Sequence, residues 1–346
     1  MPDSTSSQLL SPDRGIAPAH DTYRDSVTAV FRSLAVASLS AADEPGELAQ
    51  LAARTADALN EVAEWANDGL SADPTACAWL SYLRWARAAG ARPPASSPVP
   101  PARDFESDFP LLASPGTPHG DSFTVLATGE FGEVVRPIDP TTNSPEVLTR
   151  SIPYGLVPNL GWKALVPLVV DAAAITHGDP EAQTAAVATA LSIHASVRAR
   201  ETNADVSHIL AAVIEVCAGM TRPAPKTNAL LRMVSKVTDR AELGSADGAL
   251  SRAVTDGTAA SSALALGLAA AKVAQVDDAG NQDPQGTVAR ALDLINGHPA
   301  TSEAARSVAA AVIAARWGTT SVPTDDGAVV KELDVLARQW CDRWCP

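Results

Sequence analysis

The chain has 346 residues, of which 46% are apolar and only 4% aromatic, and its formal net charge is −14. This length allows a substantial core, which must be built mainly from alanine, leucine and valine because aromatic residues are scarce. Acidic residues outnumber basic ones by 40 to 26, and an acidic surface repels phosphate backbones, so we expect no nucleic-acid partner. A basic protein partner or a metal ion suits this charge better, although simple solubility is the commoner reason for it.

Two segments bear on where the protein resides, the N-terminus and the most apolar stretch. Residues 1–19 are rich in Ser, Pro and Asp and lack a basic segment and an apolar run, which predicts a flexible arm rather than a signal peptide. The stretch from Thr258 to Val276 contains Lys272 and Gln275, which is typical of a buried helix rather than a membrane span. We therefore expect a cytoplasmic protein with no membrane partner and one domain over residues 20–346.

Apolar residues at helical spacing predict the first elements of that domain. Helices are expected around Val27–Leu34 and Leu48–Val62. A third should begin at Asp73-Pro74, because aspartate is a good N-cap and proline is well tolerated at the first helical position. Residues 91–103 contain five prolines and are predicted to form an irregular loop.

Glycines and prolines interrupt the pattern between residues 109 and 158, where only a short strand at Phe131–Val135 is expected. The remainder predicts helix after helix, with no fixed period that would indicate a solenoid. The predicted fold is therefore all-α, as a single compact many-helix domain. The later helices are expected at Leu165–Ile175, from Asp179-Pro180 to Val197, and at Val206–Cys217, Leu230–Val237, Ser261–Val276, Val288–Ile295, Ala304–Arg316 and Val329–Trp340.

Three stretches between residues 27 and 323 form a recognisable pattern when they are taken together. They are Glu64–Gly69 with Ala72–Trp85, Thr149–Leu156 with Thr176-His177-Gly178-Asp179-Pro180, and Ala314–Gly318 with Val322-Pro323. In this order and spacing they resemble the ADP-ribosylglycohydrolase family, in the type found in actinobacteria. The resemblance implies a compact all-α fold. It also implies removal of ADP-ribose from modified side chains, with carboxylates holding a pair of Mg²⁺ or Mn²⁺ ions that activate water.

The chain departs from that family at the metal ligands. The family's first ligand loop, Ser/Thr-Asp-Asp-Thr, falls on Gly46–Ala49, where Glu47 is the only acid. Its second, Asp-Ser/Thr-Asp-Ser/Thr, falls on Thr301–Ala304 and retains only Glu303. Ser38 stands where the family's Gly-Asp-Ala-Leu-Gly segment has its aspartate. Two glutamates would leave two divalent ions under-coordinated, because each Mg²⁺ prefers about six oxygen ligands.

These departures favour a catalytically inactive ADP-ribosylglycohydrolase-like protein, a pseudoenzyme without catalytic residues or a resident cofactor. It would act by binding a protein partner or an ADP-ribose-like ligand. An immunity or antagonist protein against an ADP-ribosyltransferase is the most concrete form of this hypothesis. The resemblance implies the following remnants around the vestigial cleft: Glu47, Asp57, Arg150, Tyr154, His177, Thr301, Ser302 and Glu303.

Two other hypotheses remain open from the sequence. The chain could be an active Mg²⁺- or Mn²⁺-dependent hydrolase with rearranged ligands, since one carboxylate survives in each ligand motif. The chain could instead be a structural or oligomerising scaffold, anchored by Trp340 and Trp344, which are one helical turn apart. The acids that the hydrolase hypothesis would use are Glu47, Glu303, Asp57, Asp277 and Asp278.

Overall fold

The computed structural model describes residues 8–17, 21–40, 44–118, 120–202, 204–240, 243, 248–276 and 282–345. Within these residues it contains sixteen α-helices and two 3₁₀ helices, at Ile152–Leu156 and Gly318–Ser321, which confirms the predicted all-α fold. The α-helices are α1 (Asp21–Ala37), α2 (Glu47–Asn67), α3 (Pro74–Ala88), α4 (Phe105–Asp108), α5 (Pro110–Ala113), α6 (Asp121–Leu126), α7 (Glu146–Ser151), α8 (Trp162–Ala174), α9 (Pro180–Thr202), α10 (Val206–Ala218), α11 (Pro225–Val234), α12 (Ala249–Ala253), α13 (Ala260–Val273), α14 (Thr287–Asn296), α15 (Glu303–Trp317) and α16 (Ala328–Trp344).

Local sequence signals set where these helices begin. Asp73 is the N-cap of α3, and its Oδ1 accepts hydrogen bonds from the backbone N–H groups of Thr75 (2.8 Å) and Ala76 (3.2 Å). Pro74 follows at the first helical position, where its missing N–H costs nothing. The predicted strand at Phe131–Val135 is not formed. Instead Glu133 and Arg136 exchange backbone hydrogen bonds across a tight turn, and Pro137 then removes the donor that a longer ladder would need.

The centre of the bundle is made of three helices that are buried on nearly every side, α9, α13 and α15. Their abundant alanines let the backbones approach closely. Gly267 in α13 shows how closely, because a Cβ at this position would lie 2.6 Å from the carbonyl oxygen of Ala305 in α15. The apolar stretch predicted as a buried helix is α13 itself, and none of the described helices is long and apolar enough to cross a membrane.

Residues 8–17, which belong to the predicted N-terminal arm, lie against the domain. Leu9 and Ile16 are buried, and the carbonyl groups of Ser11 and Ile16 accept hydrogen bonds from Trp162 N–H (3.0 Å) and Asn159 N–H (2.9 Å). This part of the arm is therefore held by both apolar burial and backbone pairing. Residues 1–7 and 18–19 of the predicted arm lie outside the described residues.

The C-terminal helix α16 packs back onto the chain's own core. Trp340 is fully buried beside Phe31, at 6.0 Å between ring centroids, and its Nε1–H donates to the Tyr23 hydroxyl at 2.8 Å. Tyr23 in turn donates to the carbonyl oxygen of Leu156, also at 2.8 Å. Trp344 is half-buried and stacks near Trp340 at 5.6 Å. The indole of Trp340 is consequently occupied within the chain and is not exposed to a partner.

We predict that Tyr23→Phe lowers the free energy of unfolding by about 1–3 kcal/mol, because it leaves the buried Trp340 N–H without an acceptor and the Leu156 carbonyl without a donor. Chemical denaturation followed by circular dichroism measures the change. Thr28→Val on the same helix is the control, since it removes only a local bond to the carbonyl of Arg24. Equal stability of Tyr23→Phe and the wild type would contradict the role of this buried relay.

Candidate functional site

The three segments that the resemblance assigns to the ligand motifs meet at one end of the bundle. They are the end of α1 with the residues after it, the start of α2, and the start of α15. A Cβ on Gly46, the N-cap of α2, would lie 2.8 Å from Oε1 of Glu303 and 2.9 Å from the hydroxyls of Ser38 and Ser40. The glutamate side chain therefore fills the space that a Ser or Thr at position 46 would occupy.

Glu303 is held in this position by its neighbours. Its carboxylate accepts hydrogen bonds from the Leu39 backbone N–H and the Ser38 hydroxyl. Burial raises the pKa of Glu303 above its ordinary value of 4.5, and these two hydrogen bonds together with the charge of Arg306 only partly oppose that rise. The side chain is thus committed to contacts inside the protein, and its charged form is disfavoured.

Arg306, one turn further along α15, brings a positive charge to the same end of the bundle. Its guanidinium donates to the carbonyl oxygens of Ala37 (2.8 Å) and Val36 (3.3 Å) and to Oδ1 of Asn296 (2.5 Å). The two carbonyls belong to the last turn of α1, where the helix dipole favours a cation. The family motifs do not point to Arg306, although an arginine within the alanine-rich α15 is an identifiable signal of a buried polar contact.

Glu47 lies in the first turn of α2, with one carboxylate oxygen buried, and lines a cavity of about 460 Å³. The groups at the floor of this cavity are polar and form hydrogen bonds within the protein. Gln50 donates to the carbonyl of Ser114 at 3.1 Å and accepts the Nε1–H of Trp85 at 2.9 Å. Glu44 also lines the cavity, and no Lys or Arg side chain of the described residues does so.

The residues described at this end do not fit a pair of divalent ions. No group of three or more His, Cys, Asp or Glu side chains that could hold a metal ion exists in the described part of the chain. The described carboxylates at this end are Glu44, Glu47 and Glu303, and burial favours the neutral form of the last. Arg306 adds a competing cation. Asp277 and Asp278, which the hydrolase hypothesis would use, lie outside the described residues.

Asp57 does not share a site with Glu47. It follows Glu47 by ten residues on the same helix, which places it about 15 Å further along the axis at the usual helical rise. There it forms ion pairs with Arg84 (2.8 Å) and Arg103 (3.1 Å). Arg103 also contacts Glu64 at 3.2 Å. Asp57 is therefore part of a buried ion-pair network that ties α2 to α3 and to the Pro-rich loop.

Arg150, Tyr154 and His177 are buried in the interior and do not line the cavity beside Glu47. Arg150 donates to the carbonyl of Ala173 at 3.1 Å and lies over the ring of Tyr82, 5.2 Å from its centroid. Burial, reinforced by the charge of Arg150, holds the pKa of His177 well below its ordinary value, so the imidazole is neutral. Arg150, Tyr154 and His177 belong to a motif that carries the family resemblance, and in this protein they stabilise the interior of the fold.

His177 and the two remaining predicted residues have simple structural partners. The His177 ring nitrogens contact the Ser144 and Thr176 hydroxyls at 2.9 and 2.8 Å. Ser302 is the N-cap of α15, and its Oγ accepts the N–H of Ala305 at 3.2 Å. Thr301 is exposed immediately before it. Of the predicted remnants, the structure thus brings Glu303 next to the N-terminus of α2, where Glu47 lies.

Comparison with known proteins agrees with the observed fold. A family model described as ADP-ribosylglycohydrolase matches residues 17–344. A solved structure described as an ADP-ribosylglycohydrolase-related protein complex is similar to the chain, with a TM-score of 0.54 and 17% sequence identity. The alignment covers 94% of this chain and 99% of that one, and at such low identity it supports the fold alone. The comparison with curated proteins finds no match.

We predict that Asp57→Ala lowers the free energy of unfolding by about 3 kcal/mol, because it leaves the guanidinium groups of Arg84 and Arg103 without their buried partner. Denaturant titration measures the loss. Asp334→Ala is the matched control, since it breaks an ion pair with Arg32 that is more exposed and should cost about 1 kcal/mol or less. Equal losses in the two variants would show that the network around Asp57 is not specially stabilising.

We predict that Glu303→Gln raises the melting temperature at pH 7 but gives a smaller gain at pH 4. The folded state holds the proton of Glu303 more tightly than the unfolded chain does, so the wild type loses stability as the pH rises above about 4.5 through the raised pKa. Glutamine removes this loss and can still accept the hydrogen bonds. Glu201→Gln, an exposed position on α9 with the same change of charge, is the control. A destabilised Glu303→Gln at pH 7 would contradict the prediction.

Proposed function

The chain belongs to the ADP-ribosylglycohydrolase family, and we propose that it is a catalytically inactive member that acts by binding a protein partner. The observation that carries this proposal is the state of Glu303. Its carboxylate is bonded to Ser38 and Leu39, and Arg306 lies one turn further along α15. A carboxylate that is to hold a divalent ion must be charged and directed at the ion. Here burial opposes the charged form, and the hydrogen bonds with Ser38 and Leu39 direct the carboxylate at the chain itself.

The cavity beside Glu47 favours a protein partner over an ADP-ribose-like ligand. A diphosphate needs cations or free donors around it, whereas the charged side chains that line this cavity are Glu44 and Glu47. The N-terminus of α2 supplies only a partial positive charge. An ADP-ribose-like ligand is therefore the weaker alternative and serves as one arm of the test below.

A binding role is consistent with two further observations. The protein carries a net charge of −14, which would accelerate association with a basic partner. The similar solved structure is itself described as a protein complex. In its most concrete form, the proposed role is that of an immunity or antagonist protein that binds an ADP-ribosyltransferase.

The decisive assay is release of ADP-ribose from an ADP-ribosylated arginine protein, with excess Mg²⁺ or Mn²⁺ and an active family member measured in parallel. We expect no release above the metal-free blank. Release that depends on metal and disappears in Glu303→Ala would overturn the proposal in favour of a hydrolase with rearranged ligands. Isothermal titration calorimetry then measures separately whether Mn²⁺ and ADP-ribose bind to the protein. We expect no stoichiometric binding of Mn²⁺.

The partner is sought by co-purification of the tagged full chain from its native host. A stoichiometric partner whose recovery is unchanged by Glu47→Ala would support binding through a surface other than the cleft. Recovery of no stoichiometric partner, together with ADP-ribose binding that Glu47→Ala alters, would contradict the proposal of a protein-binding role.

A further inference from the structure

A second cavity, larger than the one beside Glu47, is separate from the cleft. It has a volume of about 910 Å³, is formed by α8, α9, α10 and residues 8–17, and shares no lining residue with the cavity beside Glu47. We call it the α8–α10 groove. Its walls are mostly apolar and include Leu10, Trp162, Val166, Val170, Val216 and Met220.

Much of this apolar surface is in contact with water. Trp162, Val166, Val170 and Val216 are only partly buried, and Val135 at the rim is 92% exposed. Leaving such a contiguous surface in water forgoes roughly 25 cal/mol for each Å² that could be covered. Contiguous apolar surfaces of this kind on soluble proteins commonly mark sites of interaction.

Two carboxylates along the groove form no ion pair with any residue that the structure describes. Asp171 and Glu215 are exposed, and neither forms an ion pair or hydrogen bond with another described residue. Partial burial raises the pKa of Asp171, and the negative charge of nearby Asp73 raises it further. The arginine that lines the groove, Arg222, is directed at the Gln183 side chain and the carbonyl of Gly178.

The acidic edge continues beyond the groove. A smaller adjoining cavity of about 310 Å³ shares Val134, Val135 and Asp171 with it and adds Asp73 and Glu133. A ligand that satisfies the whole surface must therefore be elongated, with an apolar side and positive charges along one edge. An amphipathic helix with basic residues has this pattern, whereas a compact small molecule could cover only part of it.

We propose that the α8–α10 groove binds a basic amphipathic helix of a partner protein, with its apolar face against Val166, Val170 and Val216 and its Lys or Arg residues beside Asp171 and Glu215. The inference rests on the proposed binding role and names its surface and the chemistry of the partner. Residues 1–7 contain no Lys or Arg, and a second copy of this acidic chain would add like charge, so neither matches the groove.

The test uses two fluorescein-labelled helical peptides with the same leucine pattern, one with lysine and the other with glutamate at the polar positions, and measures fluorescence anisotropy on the full chain. The lysine peptide should bind and the glutamate peptide should not. Asp171→Lys/Glu215→Lys should weaken the lysine peptide about tenfold or more and allow the glutamate peptide to bind. Asp326→Lys/Asp342→Lys makes the same change of net charge at exposed positions outside the groove and should change affinity less than about twofold.

Val216→Glu tests the apolar wall independently, and circular dichroism checks that it is folded. It should also weaken the lysine peptide about tenfold. Equal effects of the groove and control reversals would show only general attraction to an acidic protein and would overturn the proposal. So would a stable dimer in sedimentation that covers the groove. The remaining outcome is that a partner from the host binds the Asp171→Lys/Glu215→Lys variant with unchanged affinity. That result would overturn the proposed role of the groove and leave the proposed binding role intact.

Discussion

Close packing around α15 is the constraint on which the rest of the structure depends. Every residue from Ala304 to Arg316 is buried, and the helix contacts α1, α9, α13 and α14 at once. Only small side chains allow so many backbones to approach one helix, as the contact of Gly267 with the Ala305 carbonyl shows. The first turn of α15 is therefore fixed by the core behind it, and with it the positions of Glu303 and Arg306.

That fixed position explains how Glu303 and the end of α1 find their partners. The carbonyls at the end of α1 would carry uncompensated partial negative charge, and the guanidinium of Arg306 satisfies them directly. Glu303 accepts donors from Ser38 and Leu39 and fits because Gly46 has no side chain. The polar groups of Glu303 and Arg306 are thus hydrogen-bonded within the chain.

The sequence predicted the helices well because each leaves a local pattern, such as the Asp73-Pro74 start of α3 and the apolar stripe of α10. Counting along the family motifs also placed Ser38 and Glu303 near the start of α2. The same motifs did not indicate that Asp57 belongs to an ion-pair network. Its partners Arg84 and Arg103 lie on other elements, far from Asp57 in the sequence. Ion pairs between such distant residues depend on how the helices pack, and no local sequence pattern indicates them.

The cleft beside Glu47 and the α8–α10 groove differ in how far their groups are already satisfied. In the cleft, Gln50 is hydrogen-bonded to both Trp85 and the Ser114 carbonyl, and Glu303 accepts hydrogen bonds from Ser38 and Leu39. In the α8–α10 groove, apolar walls face water and two carboxylates lack cations among the described residues. A partner gains more binding free energy from apolar or charged groups that face water than from groups already hydrogen-bonded within the chain. The latter must first break the hydrogen bonds that they have. This difference favours the groove over the cleft as the surface for the proposed association.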